Sequence, residues 1–90
     1  MFIVISYDIP DDKRRTRIHK VLKDFGQWVQ YSVFECSLEA RDFLRLKQRL
    51  QKNIDSKEDS IRFYFLCQDC QQKVERIGGV RPLDENLIFV

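Results

Sequence analysis

Asp8 closes an apolar run from Phe2 to Tyr7 and stands just ahead of Pro10 and of Asp11-Asp-Lys-Arg-Arg-Thr-Arg17. A carboxylate at the C-terminal end of a strand, followed at once by a cationic helix start, suits a hard cation held beside a phosphate backbone. Carboxylate oxygens bind Mg²⁺, and guanidinium groups grip phosphate by paired hydrogen bonds. The competing use for such an aspartate is local, as an acceptor for the amides of the following turn. Arg14, Arg15, Arg17 and Lys20, with Lys13 and Lys23, make the helix that follows the electropositive element of the chain. The first four are the candidate contacts to a nucleic acid.

Other constellations are weaker. Cys67-Gln-Asp-Cys70 has CxxC spacing, with Cys36 as a third thiol. A structural zinc site wants four N/S ligands, and the one histidine, His19, lies on the basic helix. A redox CxxC sits at a helix start after a strand, a context this pair loosely fits, but buried free cysteines are commonplace. His19 has no Ser or Cys partner at the spacing of a nucleophilic triad. Gly78-Gly79 is a turn signal and not a phosphate loop. Tyr7, Trp28, Tyr31 and Phe34 have faces on which bases stack, although aromatics in strands more often fill cores.

The elements that must position these residues follow from the patterning. Residues 2–8 read as a central strand, apolar almost throughout. Asp11 or Asp12 caps the helix after Pro10, and Ile18, Val21, Leu22 and Phe25 form its inward stripe. Gly26 is placed to end it. Residues 27–36 are a second strand region, rich in β-formers but lacking Gly, Pro or Asn, so one strand and a tight pair remain open. Residues 39–54 predict a second helix with Phe43, Leu46, Leu50 and Ile54 inward, and residues 53–60 a polar loop. Residues 61–67 form a further strand, residues 71–77 are ambiguous, and Leu87-Ile-Phe-Val90 is a short apolar terminal strand. The sum is an α+β sandwich, a sheet carrying two helices on one face. An apolar edge strand invites pairing with another copy.

Ninety residues make one domain, residues 1–90, and a chain this small gains stability from self-association. A hydrophobic fraction of 43% with 33% charged residues excludes a disordered chain. The net charge of +2 conceals an asymmetry: residues 1–54 hold 11 Lys/Arg against 7 Asp/Glu, and residues 55–90 hold 5 against 7. A basic first half permits polyanion binding. The start of the chain lacks a signal-peptide pattern, no apolar run is long enough to span a membrane, and three cysteines do not make a disulfide framework. Together these point to the cytoplasm.

Tyr7-Asp8 at the end of the first strand, Arg15, Arg17, Leu22, Phe25-Gly26 and Gln30-Tyr-Ser-Val-Phe-Glu35 closely resemble CRISPR-associated protein 2, and Asp59-Ser-Ile-Arg-Phe-Tyr-Phe-Leu66 and Arg76-Ile-Gly78 extend the likeness over nearly the whole chain. The resemblance implies a ferredoxin-like βαββαβ fold and a homodimer. Residues 79–90 would cross to the partner's sheet, with the two Asp8 residues facing across the two-fold axis. It also implies a role in CRISPR spacer acquisition, the dimer bridging two dimers of the CRISPR integrase on double-stranded DNA. Some members cleave RNA, including single-stranded RNA, or duplex DNA with Mg²⁺, for which Mn²⁺ substitutes. By the same likeness Asp8 is the metal ligand and catalytic carboxylate, Tyr7 its catalytic neighbour, Arg15 and Arg17 the helix arginines, and Phe34 a nucleic-acid contact. Trp28 and Val29 stand where members often carry a basic residue.

Overall fold

A computed structural model describes residues 1–78. The elements run β1 (Phe2–Asp8), α1 (Asp12–Lys23), β2 (Gln27–Gln30), β3 (Val33–Ser37), α2 (Ala40–Gln51), β4 (Ser60–Leu66) and α3 (Gln68–Gln72). The first six give βαββαβ in one sheet of order β2-β3-β1-β4, a ferredoxin-like sandwich. The terminal strand expected at 87–90, and its exchange between protomers, lie outside the described residues.

β1 is central, antiparallel to β3 on one side and β4 on the other, which is why its sequence is apolar almost throughout. Its side chains alternate between faces. Ile3, Ile5 and Tyr7 pack into a core with Ile18, Val21 and Leu22 of α1 and Leu46 and Leu50 of α2. Phe2, Val4, Ser6 and Asp8 point to the other face, beside Val33, Glu35, Arg62, Tyr64 and Leu66 by register. Each fully buried Ile, Leu or Phe contributes about 1.5–3 kcal/mol relative to exposure, so the helix-covered face holds the fold together.

The 27–36 region resolves into two strands. Gln30 pairs with Val33 across a two-residue turn, Tyr31-Ser32, and an irregularity between Trp28 and Gln30 breaks the register. Tyr31 takes φ 39°, left-handed backbone that turns of this length require and that sequences normally mark with Gly or Asn. The Trp28 indole N–H donates to the Tyr31 carbonyl at 2.8 Å, giving the turn a side-chain support in place of glycine.

Gly26 follows the end of α1, yet it does not supply the left-handed cap expected of it. Helix α1 ends on Asp24, and the Gly26 amide donates back to Leu22 at 2.9 Å. What glycine provides is close approach: a Cβ there would lie 2.2 Å from Cys36 Sγ and 2.5 Å from the Glu35 carbonyl oxygen. Helix α2 is shorter than its apolar periodicity suggests. The Asn53 side chain donates to the Arg49 carbonyl at 2.8 Å and closes its last turn. The ambiguous stretch is partly helical, beginning earlier than expected at Gln68.

Candidate functional site

β1 carries Asp8 to the rim of the sheet, on the face that α1 and α2 leave uncovered. The residue is exposed, and its carboxylate has no hydrogen bond or ion pair with another described residue. The local capping duty belongs instead to Asp11. Its carboxylate accepts the Arg14 amide at 2.9 Å, a bond that holds its pKa below the usual carboxylate value. Asp8 is thereby left available.

The turn after Asp8 is held by Arg15. Its guanidinium donates to the carbonyls of Ile9 at 2.9 Å and Pro10 at 3.3 Å and pairs with Asp12. A cation that binds two successive carbonyls fixes the backbone just downstream of the carboxylate, so Arg15 acts first as a positioning residue.

Arg14 is otherwise engaged. Its Nε donates to Asp59 at 2.8 Å, and Nη2 reaches Asp59 at 3.1 Å and Glu58 at 3.3 Å. The Asp59 side chain has 0% exposure and also accepts the Asp55 amide at 2.9 Å. Hydrogen bonding from Arg14 holds the Asp59 carboxyl below its ordinary pKa, and the same bond raises that of Arg14. The Arg14 side chain expected at a nucleic acid is thus engaged within the fold, where this pair ties α1 to the loop ahead of β4. Arg17 and Lys20 remain exposed, with no hydrogen bond or ion pair to another described residue.

Tyr7 and Asp8 are neighbours in sequence but face opposite sides of the sheet. Tyr7 is 6% exposed, and its hydroxyl lies 3.3 Å from His19 Nδ1. Burial raises its pKa, against the Ser32 hydrogen bond and the Arg15 charge. Burial, and then the Lys23 charge, lower that of His19. With Arg15, Thr16, Tyr31 and Ser32 these two rings line an open cleft of about 360 Å³ between α1 and the β2–β3 turn. Tyr7 thus does not share a site with Asp8 within one chain. Phe34, expected at a nucleic acid, lies in the core. It has 0% exposure, sits edge-on to His19 with ring centroids 5.1 Å apart, and offers no face to a base. The exposed aromatics among the described residues are Trp28, Tyr31, Tyr64 and Phe65.

Asp59 was missed by sequence reasoning as the anchor of Arg14. It lies 45 positions away, and no local pattern pairs the two. No group of three or more His, Cys, Asp or Glu residues stands together as a metal site among the described residues of the single chain.

The strand-end carboxylate, the cationic first helix and the βαββαβ order coincide with a known family: the model for CRISPR associated protein Cas2 matches residues 1–74. The chain belongs to the Cas2 family. A relative from Chloroflexus aurantiacus, named CRISPR-associated endoribonuclease Cas2 3, is 58% identical over 78 residues, covering 87% of this chain and 84% of the relative. The crystal structure of Streptococcus pyogenes Cas2 at pH 6.5 superposes with a TM-score of 0.78 at 42% identity, over 87% of this chain and 100% of the other. A chain in a partial Cas6-RT-Cas1–Cas2 complex matches with a TM-score of 0.66 at 32% identity, covering 84% and 89%. Among the described residues no helix is long and apolar enough to cross a membrane.

Proposed function

We propose that the protein serves CRISPR adaptation as a nucleic-acid-binding homodimer that bridges integrase dimers and, at Asp8, supports Mg²⁺-dependent phosphodiester hydrolysis. The observation that carries this reading is the exposed, unpartnered Asp8 carboxylate on the uncovered face of the sheet. That face also holds the half-buried apolar side chains of Phe2, Val4, Val33 and Leu66. An isologous contact through it would cover them and bring a second Asp8 to the first. The match to a chain of a Cas1–Cas2 complex supports the bridging role.

The residues fit a hard cation shared between protomers. Mg²⁺ keeps several waters and takes one or two carboxylates, so one Asp8 from each chain suffices. Such an ion supplies Lewis-acid chemistry, lowering the pKa of water and offsetting charge on the phosphodiester. Around it, Arg15 fixes the turn behind Asp8, while Arg17 and Lys20 bind phosphates of duplex DNA or single-stranded RNA. Phosphate contacts position a nucleic acid and carry no sequence information, so binding is indifferent to sequence. Two Asp8 carboxylates brought close repel one another, and the cation relieves that repulsion.

The test is Asp8→Asn, assayed for cleavage of RNA and duplex DNA with Mg²⁺, with Mn²⁺ and with chelator. Loss of cleavage with the dimer and duplex binding intact is the expected result. Cleavage at the wild-type rate would remove Asp8 from the chemistry. A second reading, a scaffold without hydrolysis, is favoured because no group of three or more potential metal ligands stands together among the described residues. It predicts that wild-type protein binds duplex DNA and integrase yet cleaves nothing.

A further inference from the structure

The nucleic-acid chemistry leaves the two exposed cysteines unused. β4 ends at Leu66, and Cys67 follows as the N-cap of α3 with extended backbone, φ −72° and ψ 172°. That conformation turns its sulfur back over the first turn, where it accepts the Cys70 amide at 3.4 Å. The Cys67 carbonyl accepts the Gln71 amide at 2.9 Å, so the turn is held from both atoms of one residue. The Cys70 thiol thus stands one helical turn from the Cys67 sulfur, on the residue whose amide that sulfur accepts. Both residues are exposed, whereas Cys36 is buried in the core.

We propose that Cys67 and Cys70 form a redox-active dithiol whose substrate is a low-molecular-weight disulfide. Two solvent-exposed thiols three positions apart in the first turn of α3, with the amide of one bonded to the sulfur of the other, are placed for intramolecular closure. The Cys67 thiolate attacks one sulfur of the disulfide RSSR, forming Cys67–S–SR and releasing RS⁻, which takes up the proton that Cys67 lost. Cys70 then gives its proton to solvent and attacks the Cys67 sulfur, closing the Cys67–Cys70 bond and releasing the second RS⁻, which is protonated in turn. Two thiols are oxidised and one disulfide is reduced to two RSH.

The order of attack follows from the surroundings. The Cys70 amide, and then its thiol, lower the pKa of Cys67, while the hydrogen bond to Cys67 raises that of Cys70. Thiolate is the attacking form, so Cys67 reacts first and Cys70 resolves. Cys36 provides an internal control, because burial and then the Glu35 charge push its thiol up to about 11.

The experiment incubates reduced full-length protein with excess oxidised glutathione, quenches with acid, alkylates remaining thiols and reads the intact mass and the peptide map. Wild type is expected to lose two hydrogens, carry no glutathione and show a Cys67–Cys70 crosslink with Cys36 alkylated only after unfolding. Cys70→Ser should retain one glutathione on Cys67, and Cys67→Ser should react on the order of tenfold more slowly than Cys70→Ser. Serine is itself a good N-cap, so Cys67→Ser keeps the turn in which Cys70 sits. Wild type that carries two glutathiones, forms disulfides between chains, or stays a dithiol while Cys70→Ser is modified would overturn the proposal. So would equal rates for the two serine variants, or no reaction in any of them.

Discussion

Replacing Phe34 separates a core role from a nucleic-acid contact. The ring is fully buried, edge-on to His19 at 5.1 Å and tilted against Tyr7 at 6.4 Å. Phe34→Ala removes the ring and leaves a cavity between β3 and α1, costing about 3–5 kcal/mol. A domain of 90 residues has a total stability of roughly 5–13 kcal/mol, so the loss takes a large share of it. Each kcal/mol shifts Tm by about 4–8 °C at this size, and a drop of more than about 12 °C follows. Phe34→Leu keeps most of the volume and forfeits mainly the aromatic contacts, about 0.5–1.5 kcal/mol. Melting followed by circular dichroism at one fixed chain concentration, which holds any self-association constant, measures both. Fluorescence anisotropy with a duplex, at a temperature where each variant is folded, gives affinity. The expected result is a graded loss of Tm with affinity per folded molecule unchanged. An alanine variant that melts with the wild type but no longer binds duplex would refute the core assignment.

Three further outcomes follow from the same structure. Gly26→Ala must push a methyl into Cys36 Sγ and the Glu35 carbonyl. It should lower the urea midpoint by an equivalent of about 1–3 kcal/mol, and adding Cys36→Ala should recover only part because the backbone oxygen remains. His19, the one histidine, has a pKa lowered by burial, so the folded chain takes up its proton less readily than the unfolded one. Stability is then fully present above the unfolded value of about 6.5, falls as pH drops through it, and levels off below the folded pKa. The single imidazole NMR signal should titrate below the free-imidazole value, and His19→Gln should flatten Tm between neutral and mildly acidic pH. Arg17→Ala with Lys20→Ala should reduce the slope of log affinity against log salt by about 0.9 for each phosphate that is no longer neutralised. Arg14→Ala should leave that slope unchanged and lower Tm, since it abandons Asp59; a flattened slope instead would return Arg14 to the nucleic acid.

Much of the fold was legible because the signals are local. The unbroken apolar run of residues 2–8 belongs to a strand flanked on both sides, and the stripe of Ile18, Val21 and Leu22 is the buried face of α1. The β2–β3 turn was not legible, since Tyr31 adopts a backbone normally announced by glycine and is supported by an indole three residues back. At the site, residue type nominated Asp8 and the basic helix, but type does not say which arginine has a partner. Arg14 differs from Arg17 through an aspartate 45 positions away and the glutamate just before it. Phe34 shows the converse limit. A likeness carries over an identity, while the alternation of β3 decides whether that ring meets solvent or the interior.

Asp8 is delivered by the middle strand of the sheet and not by a loop, and this sets how the carboxylate can move. A slip of β1 by one residue would turn Asp8 inward and expose Ile3 and Ile5, and pairing on both flanks forbids it short of unravelling the sheet. The face it occupies is therefore as durable as the molecule itself. Amide exchange along β1 should proceed only through whole-domain opening, while the amides of α1's first turn exchange by local fraying. In the proposed reaction the two partners would therefore differ in reach: a short carboxylate swinging from a Cα held in place for the lifetime of the native state, and cations such as Arg17 and Lys20 whose long side chains, with no hydrogen bond or ion pair to another described residue, sweep a wide arc within nanoseconds. On that proposal, polyanion capture would adapt to whatever backbone arrives, while the strand end that anchors the carboxylate would not move with it.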